Sequence, residues 1–197
     1  MFKIIIIIVM LIVPTALLGQ QLQPSAKDAI KVMPDDVIPI LTHNNMLDML
    51  DFMSAGQKAE VTNRLNGKTE MTLLSENCAA IKLSSTTRID IHLMQRADNE
   101  MLIYMISTNE AEDSLRDSQV KVFNSKWQLA GEEFQFKNFH PQYFNEVKID
   151  HQTKSLTMVE THRQLIFDGE PQGGNSVIVR TRHAEWDATK GVFIFKD

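Results

Sequence analysis

The sequence predicts an α+β fold in which one or two N-terminal helices pack on a mainly antiparallel, curved β-sheet. Helical periodicity is confined to the part of the chain before Gly56. After Gly56, short alternating or apolar segments predict about nine strands. The connections between them are too short for the crossover helices that parallel strands need. The sequence therefore predicts a helical N-terminal part followed by antiparallel strands.

Two helices are predicted from capping signals and apolar spacing. Ser25 is a suitable N-cap for a short helix that ends before Pro34. Asn44 or Asn45 can cap a second helix that runs through Ser54. Apolar residues of the second helix recur at spacings of three and four, which predicts that one face of the helix packs against a core.

The strand predictions rest on turn signals and on alternation. Asn66-Gly67 is a strong hairpin signal between segments 58–65 and 69–74. Segment 88–94 alternates apolar and polar residues, as a half-buried strand does, and segment 101–108 is apolar on both faces. The remaining predicted strands are 80–84, 119–123, 127–129, 155–167, 176–185 and 191–195. The aromatic-rich segment 134–147 receives no firm assignment.

The first nineteen residues have the pattern of a secretory signal peptide. Lys3 precedes an apolar run of about 15 residues, which is shorter than the roughly 20 residues that cross a bilayer. Cleavage is expected after Gly19 or after Ala16, with a retained anchor as the alternative. The predicted organisation is a signal peptide (1–19), an extension with a short helix (20–33) and a single α+β domain (34–197). No cysteine follows the apolar run, so a periplasmic protein without a lipid anchor is expected.

Composition restricts the partners of the mature chain. The whole chain has 20 basic and 25 acidic residues, so removal of Lys3 with the signal changes the net charge from −5 to −6. This acidity disfavours binding to nucleic acid and to anionic lipid. Cys78 is the single cysteine, which excludes an intrachain disulfide. The apolar residues that follow Cys78 indicate a buried structural thiol.

Four residues of the second predicted helix form the candidate ligand-binding site: Met46, Met49, Leu50 and Met53. They fall on one face of the helix. Methionine side chains fill irregular gaps in cores and also line adaptable apolar surfaces. This stripe therefore belongs either to the core or to an apolar ligand pocket between helix and sheet.

Three histidine–acid pairs are the candidates for metal or acid–base chemistry, because each places both side chains on one face of a strand. They are Asp90-x-His92, Glu160-x-His162 and His183-x-Glu185. The water-facing side of any sheet produces the same spacing. We assign no catalytic residue, no metal ligand and no cofactor from these pairs. Arg180 and Arg182 share a strand face and either hold an anionic group or pair with neighbouring acids.

Part of the sequence resembles a secreted Bacteroidales family known as a domain of unknown function. The resemblance is carried by the stretch from Ile40 to Phe52, by Lys58–Asn63 and by Thr69–Thr72, and it extends over roughly residues 34–129. It implies an exported protein of a Gram-negative cell envelope. It implies no activity, cofactor or site residue.

Three functions remain open from the sequence. The first is a non-enzymatic periplasmic protein that acts through its surface on another protein. The second is a carrier or sensor of an apolar ligand held by the methionine face. The third is a metal-dependent or acid–base enzyme built on the histidine–acid pairs. Exposed strand edges would also allow another chain to add a strand, but the sequence does not show which strands are edges.

Overall fold

The computed structural model of the chain describes residues 24–111, 115–137, 139, 141–163 and 176–196. The predicted signal peptide lies outside these residues. Two helices come first, α1 (Ala26–Lys31) and α2 (His43–Ser54). The strands that follow are β1 (Ala59–Thr62), β2 (Lys68–Leu74), β3 (Cys78–Lys82), β4 (Thr87–Gln95), β5 (Met101–Glu110), β6 (Arg116–Asn124), β7 (Phe144–Asp150), β8 (Ser155–Arg163), β9 (Ser176–Asp187) and β10 (Val192–Phe195).

The strands form two antiparallel sheets. The first sheet has the order β1-β2-β3-β4-β5-β6, and the second has the order β10-β9-β8-β7. Within each sheet, every strand pairs with its neighbour in the sequence, as short connections require. The predicted α+β class with helices on antiparallel sheet is confirmed. The division into two sheets was not predicted.

Both helices begin at capping boxes. Ser25 caps α1, as predicted, and its side chain accepts a hydrogen bond from the N–H of Asp28. Thr42 caps α2, so the predicted cap at Asn44 or Asn45 is wrong. The Thr42 hydroxyl accepts from the N–H of Asn45, and the Asn45 side chain accepts from the N–H of Thr42. Asn45 thus contributes to the cap from inside the helix.

The predicted hairpin at Asn66-Gly67 is confirmed. Asn66 has a φ of 61°, in the left-handed region that asparagine tolerates. The Asn63 side chain supports the turn, because its Oδ1 accepts from the N–H groups of Leu65 and Gly67, each at 3.0 Å. The pairing of Thr62 with Lys68 places this turn directly between β1 and β2.

The first sheet has an apolar layer on each face. The helices cover one face, where buried residues of α1 and α2 pack against Ile81, Ile91 and Ile103. The Trp127 indole N–H fixes α1 there by donating to the Ala29 carbonyl at 2.8 Å. On the opposite face, the second sheet packs against β4–β6. This second layer contains Met94, Leu102, Tyr104, Ile106, Val122, Val147, Leu156, Met158, Ala184 and Phe193.

Candidate functional site

A wide groove lies between the two sheets on the face of the first sheet that the helices do not cover. Its volume is about 1190 Å³. One wall comes from β2, β3, β4 and the β3–β4 turn, and the other comes from β7 and the turn after it. We call this space the groove. It exists because the second sheet packs against β4–β6 and leaves part of the same face uncovered.

Three metal-binding types of side chain meet in the groove: Cys78, His92 and His151. The Cys78 sulfur and one nitrogen of each imidazole all lie within 4.8 Å of one another. Cys78 and His92 are direct partners across β3 and β4, so their side chains project from the same face. His151 reaches them from the β7–β8 turn of the second sheet.

The turn that carries His151 is fixed by its own hydrogen bonds. The Asp150 carboxylate accepts from the N–H groups of Gln152 and Thr153. Lys154 completes the turn in the left-handed region, with a φ of 50°. The result is a direct contact between the two imidazoles, in which Nδ1 of His92 and Nε2 of His151 are 2.8 Å apart.

Both imidazoles are held neutral. Burial lowers the pKa of His92 to about 3, and repulsion by the protonated form of His151 and by Arg88 acts in the same direction. Burial also lowers the pKa of His151, against a smaller opposing effect of Asp150. A neutral imidazole has one nitrogen with a free lone pair, so it can accept a hydrogen bond or bind a metal.

Cys78 is only half-buried and lines the groove. The expectation that this thiol is buried is therefore wrong. The side chain points into the space between the sheets, and β3 lies where that space stays open. The Ser75 hydroxyl lies 3.0 Å from the Cys78 sulfur and can donate to it.

The groove carries both signs of charge in equal number. Its basic residues are Lys82, Arg88, Arg116 and Lys148, and its acidic residues are Asp90, Glu110, Glu146 and Asp150. Several of these pair directly, among them Arg88 with Asp90 and Arg116 with Glu146. Burial raises the pKa of Asp90, although Arg88 opposes the effect.

The methionine face of α2 does not line the groove. Met46, Met49 and Leu50 are buried against the opposite face of the first sheet, and Met53 packs at the margin of the same cluster. Their packing fills the core, which was one of the two alternatives. Ligand binding by these four residues stays a prediction.

The three predicted histidine–acid pairs do not converge. Asp90 and His92 belong to the first sheet, whereas the other two pairs belong to the second. Within the second sheet, those two pairs lie near opposite ends of β8. His183 and Glu185 are paired with residues at its start, Thr157 and Ser155, whereas Glu160 and His162 lie near its end. The acids make ion pairs instead, Asp90 with Arg88, Glu160 with Arg180 and Glu185 with Lys196. Arg180 thus pairs with a neighbouring acid, as one of the alternatives expected.

Sequence reasoning identified His92 but missed both of its partners. Cys78 precedes an apolar segment, which suggested a core position, and His151 lies in a turn 59 residues from His92. Pairing β3 with β4 around the short 83–86 turn would have placed Cys78 opposite His92. No sequence signal connects His151 to them, because its position depends on how the two sheets pack.

Acidification is expected to destabilise the protein through His92. Its folded pKa of about 3 lies below the 6.5 expected when unfolded, so between these values the unfolded state binds more protons. Stability should fall as the pH drops below about 6.5, by up to about 1.4 kcal/mol per pH unit, and this group adds no dependence above that pH.

Urea unfolding with EDTA, between about pH 7.5 and pH 5, measures this slope while most carboxylates stay ionised. The His92→Gln variant should show a shallower dependence. An unchanged slope in that variant would assign the pH dependence to other groups.

Comparison with known proteins identifies relatives of unknown function. A family model described as a protein of unknown function, DUF3256, matches residues 21–167. A solved structure of a domain of an uncharacterised protein from Porphyromonas gingivalis W83 is similar with a TM-score of 0.66. The two sequences are 16% identical, over 86% of this chain and 96% of that one, so the likeness concerns the fold. The search of curated proteins finds no match.

Neither α1 nor α2 is long and apolar enough to cross a bilayer.

Proposed function

We infer a function for this chain, which belongs to the DUF3256 family of proteins of unknown function, from the groove between its two sheets. The chain is an exported, non-enzymatic periplasmic protein that binds an extended polypeptide segment in the groove. The observation that carries this proposal is the course of β7, an edge strand whose C-terminal part runs along the groove.

β7 is the edge strand of the second sheet. Its outward N–H groups are occupied near the first sheet, where Asn145 donates to Asp117 and Val147 donates to Ser118, each at 3.0 Å. Alternation along the strand turns the N–H of Ile149 to the same edge. Residues 146–152 all line the groove, so this part of the edge faces the space between the sheets.

An extended peptide can add a strand to such an edge. Main-chain hydrogen bonds supply affinity in this mode, and the side chains around the edge supply selectivity. The balanced charges of the groove suit a polar peptide of mixed charge better than a polyanion or polycation. The carboxylates of Asp90, Glu160 and Glu185 each make an ion pair with a basic side chain. These ion pairs favour a binding function for the protein over acid–base catalysis.

Export is tested separately from binding. The pattern of the first nineteen residues leads us to expect the protein in the periplasmic fraction of its own cells, with Gln20 or Leu17 as its N-terminal residue. Fractionation followed by N-terminal sequencing measures both. Recovery of the intact chain from the cytoplasm would contradict the export part of the proposal.

Binding is tested with a displayed library of short linear peptides. A selected peptide should bind the Ile149→Pro variant about 10-fold more weakly than the parent, because proline removes one donor from the strand edge. Ile149→Ala is the matched control, since it removes side-chain packing but keeps the N–H. Its affinity should stay within a few-fold of the parent.

A second readout uses the unaltered protein. Amide hydrogen exchange at Ile149 should slow when the peptide binds, while exchange in β10, the other edge of the same sheet, should not. Failure to enrich any peptide, or equal exchange at Ile149 with and without it, would contradict the proposal.

A further inference from the structure

We propose that Cys78, His92 and His151 bind one zinc ion, or a similar borderline transition-metal ion, at the junction of the two sheets. This inference does not depend on peptide binding in the groove. It rests on the convergence of one sulfur and two imidazole nitrogens within 4.8 Å of one another. Sulfur and imidazole ligands favour zinc and related ions over calcium or magnesium, which prefer oxygen.

The three donors come from rigidly placed elements. Cys78 and His92 face each other on adjacent strands, each of which has a neighbouring strand on its other side. His151 sits in a turn whose backbone is fixed by the Asp150 carboxylate. A bound ion would therefore connect β3 and β4 of the first sheet with the β7–β8 turn of the second.

The distances suit a tetrahedral site after a small adjustment. Zinc–nitrogen bonds of about 2.0–2.1 Å and zinc–sulfur bonds of about 2.3 Å place two nitrogens about 3.3 Å apart, and sulfur about 3.6 Å from each nitrogen. The two imidazole nitrogens are now 2.8 Å apart in a hydrogen bond. Moving them apart by about half an ångström, with the hydrogen-bonding proton shifted to the other nitrogen of its ring and the Cys78 thiol proton released to solvent, replaces that hydrogen bond with two zinc–nitrogen bonds and one zinc–sulfur bond.

The surroundings keep His92 in the neutral form that binds metal. Metal-bound histidine must be neutral, and burial of His92 already disfavours its charged form. The Ser75 hydroxyl, 3.0 Å from the Cys78 sulfur, can donate to a metal-bound thiolate from outside the ligand set. The positive charge of Arg88 is offset by its contact with Asp90, 2.6 Å away.

Three protein ligands leave one tetrahedral position unfilled. Closed structural zinc sites use four protein ligands, whereas sites with three keep a position for water or another ligand. Cys78, His92 and His151 all line the groove, so the fourth position is accessible from it. The site is suited to an exchangeable ligand rather than to a purely structural role.

The test measures zinc affinity of the purified protein by competition with a chromophoric chelator. The parent should bind one zinc ion per chain. Cys78→Ser and His151→Gln should each bind zinc at least about 100-fold more weakly than the parent. Mutation of a residue that only hydrogen-bonds to a metal ligand already lowers metal affinity about 10–100-fold. Both residues are only partly buried, so these variants should fold.

His43→Gln is the matched control. His43 is an exposed histidine at the start of α2, a helix that packs on the opposite face of the first sheet, and its loss should leave the affinity unchanged. The proposal is overturned if the parent binds no zinc at a one-to-one ratio. It is also overturned if Cys78→Ser and His151→Gln bind as tightly as His43→Gln. Neither outcome bears on the peptide proposal, whose tests use no metal.

Discussion

Replacing Tyr104 with alanine is expected to destabilise the protein by about 3–5 kcal/mol, as truncation of a buried aromatic residue does. Tyr104 lies on β5 and is 1% exposed. Its ring packs edge-to-face against Trp186 and Phe193 of the second sheet, with centroids 5.8 and 5.4 Å away. Its hydroxyl donates to the Gly191 carbonyl at 3.3 Å.

The cost should be large because Tyr104 links the two sheets. Alanine would leave a cavity where the first sheet meets β9 and β10. Equilibrium unfolding in urea measures the change in free energy. Tyr104→Phe is the matched control, since it keeps the ring and removes only the hydroxyl, for a smaller loss of about 1 kcal/mol. Equal losses in both variants would contradict the packing role of the ring.

Replacing Arg180 with methionine is expected to lower the free energy of unfolding by more than the loss of an exposed ion pair does, because it removes two hydrogen-bond donors from a buried carboxylate. The Glu160 side chain is 1% exposed and accepts two hydrogen bonds from Arg180, at 2.7 and 3.0 Å. Methionine keeps most of the length of the side chain but none of its charge. Thermal and urea unfolding of the variant measure the loss.

The second sheet also contains an exposed ion pair that serves as the control. Lys196 pairs with Glu185, and both side chains are more than 60% exposed. Lys196→Met should change the free energy of unfolding by less than about 1 kcal/mol, as is usual for surface pairs. A comparable loss in both variants would show that burial of Glu160 does not determine the cost.

Local features of this fold could be predicted from the sequence. The hairpin was predicted from the Asn66-Gly67 pair, and Asn66 adopts the left-handed backbone that such a turn needs. The alternation in segment 88–94 identified β4, but the prediction of a half-buried strand is wrong, because residues 91–94 are buried on both faces. The predicted cap of α2 at Asn44 or Asn45 was wrong because Thr42 is the N-cap and Asn45 is its partner in a capping box. Asparagine is a common N-cap, and here Asn45 hydrogen-bonds back to Thr42 from the first turn of the helix.

Features that depend on packing between distant segments could not be predicted. The strands divide into two sheets after β6, and a short 3-10 turn (Glu132–Phe134) lies between β6 and β7, which begins at Phe144. Sequence periodicity does not show that β7 starts a new sheet. For the same reason, the contact between His92 and His151 could not be predicted from the sequence, because it depends on how the second sheet packs against the first.

The central claim is that the junction of the two sheets holds a metal ion through Cys78, His92 and His151. Crystals grown with zinc, with anomalous diffraction recorded at the zinc edge, test this most directly. We expect one strong peak about 2.3 Å from the Cys78 sulfur and about 2.0–2.1 Å from one nitrogen of each histidine. An intact hydrogen bond between His92 and His151, with no anomalous peak beside it, would contradict the claim.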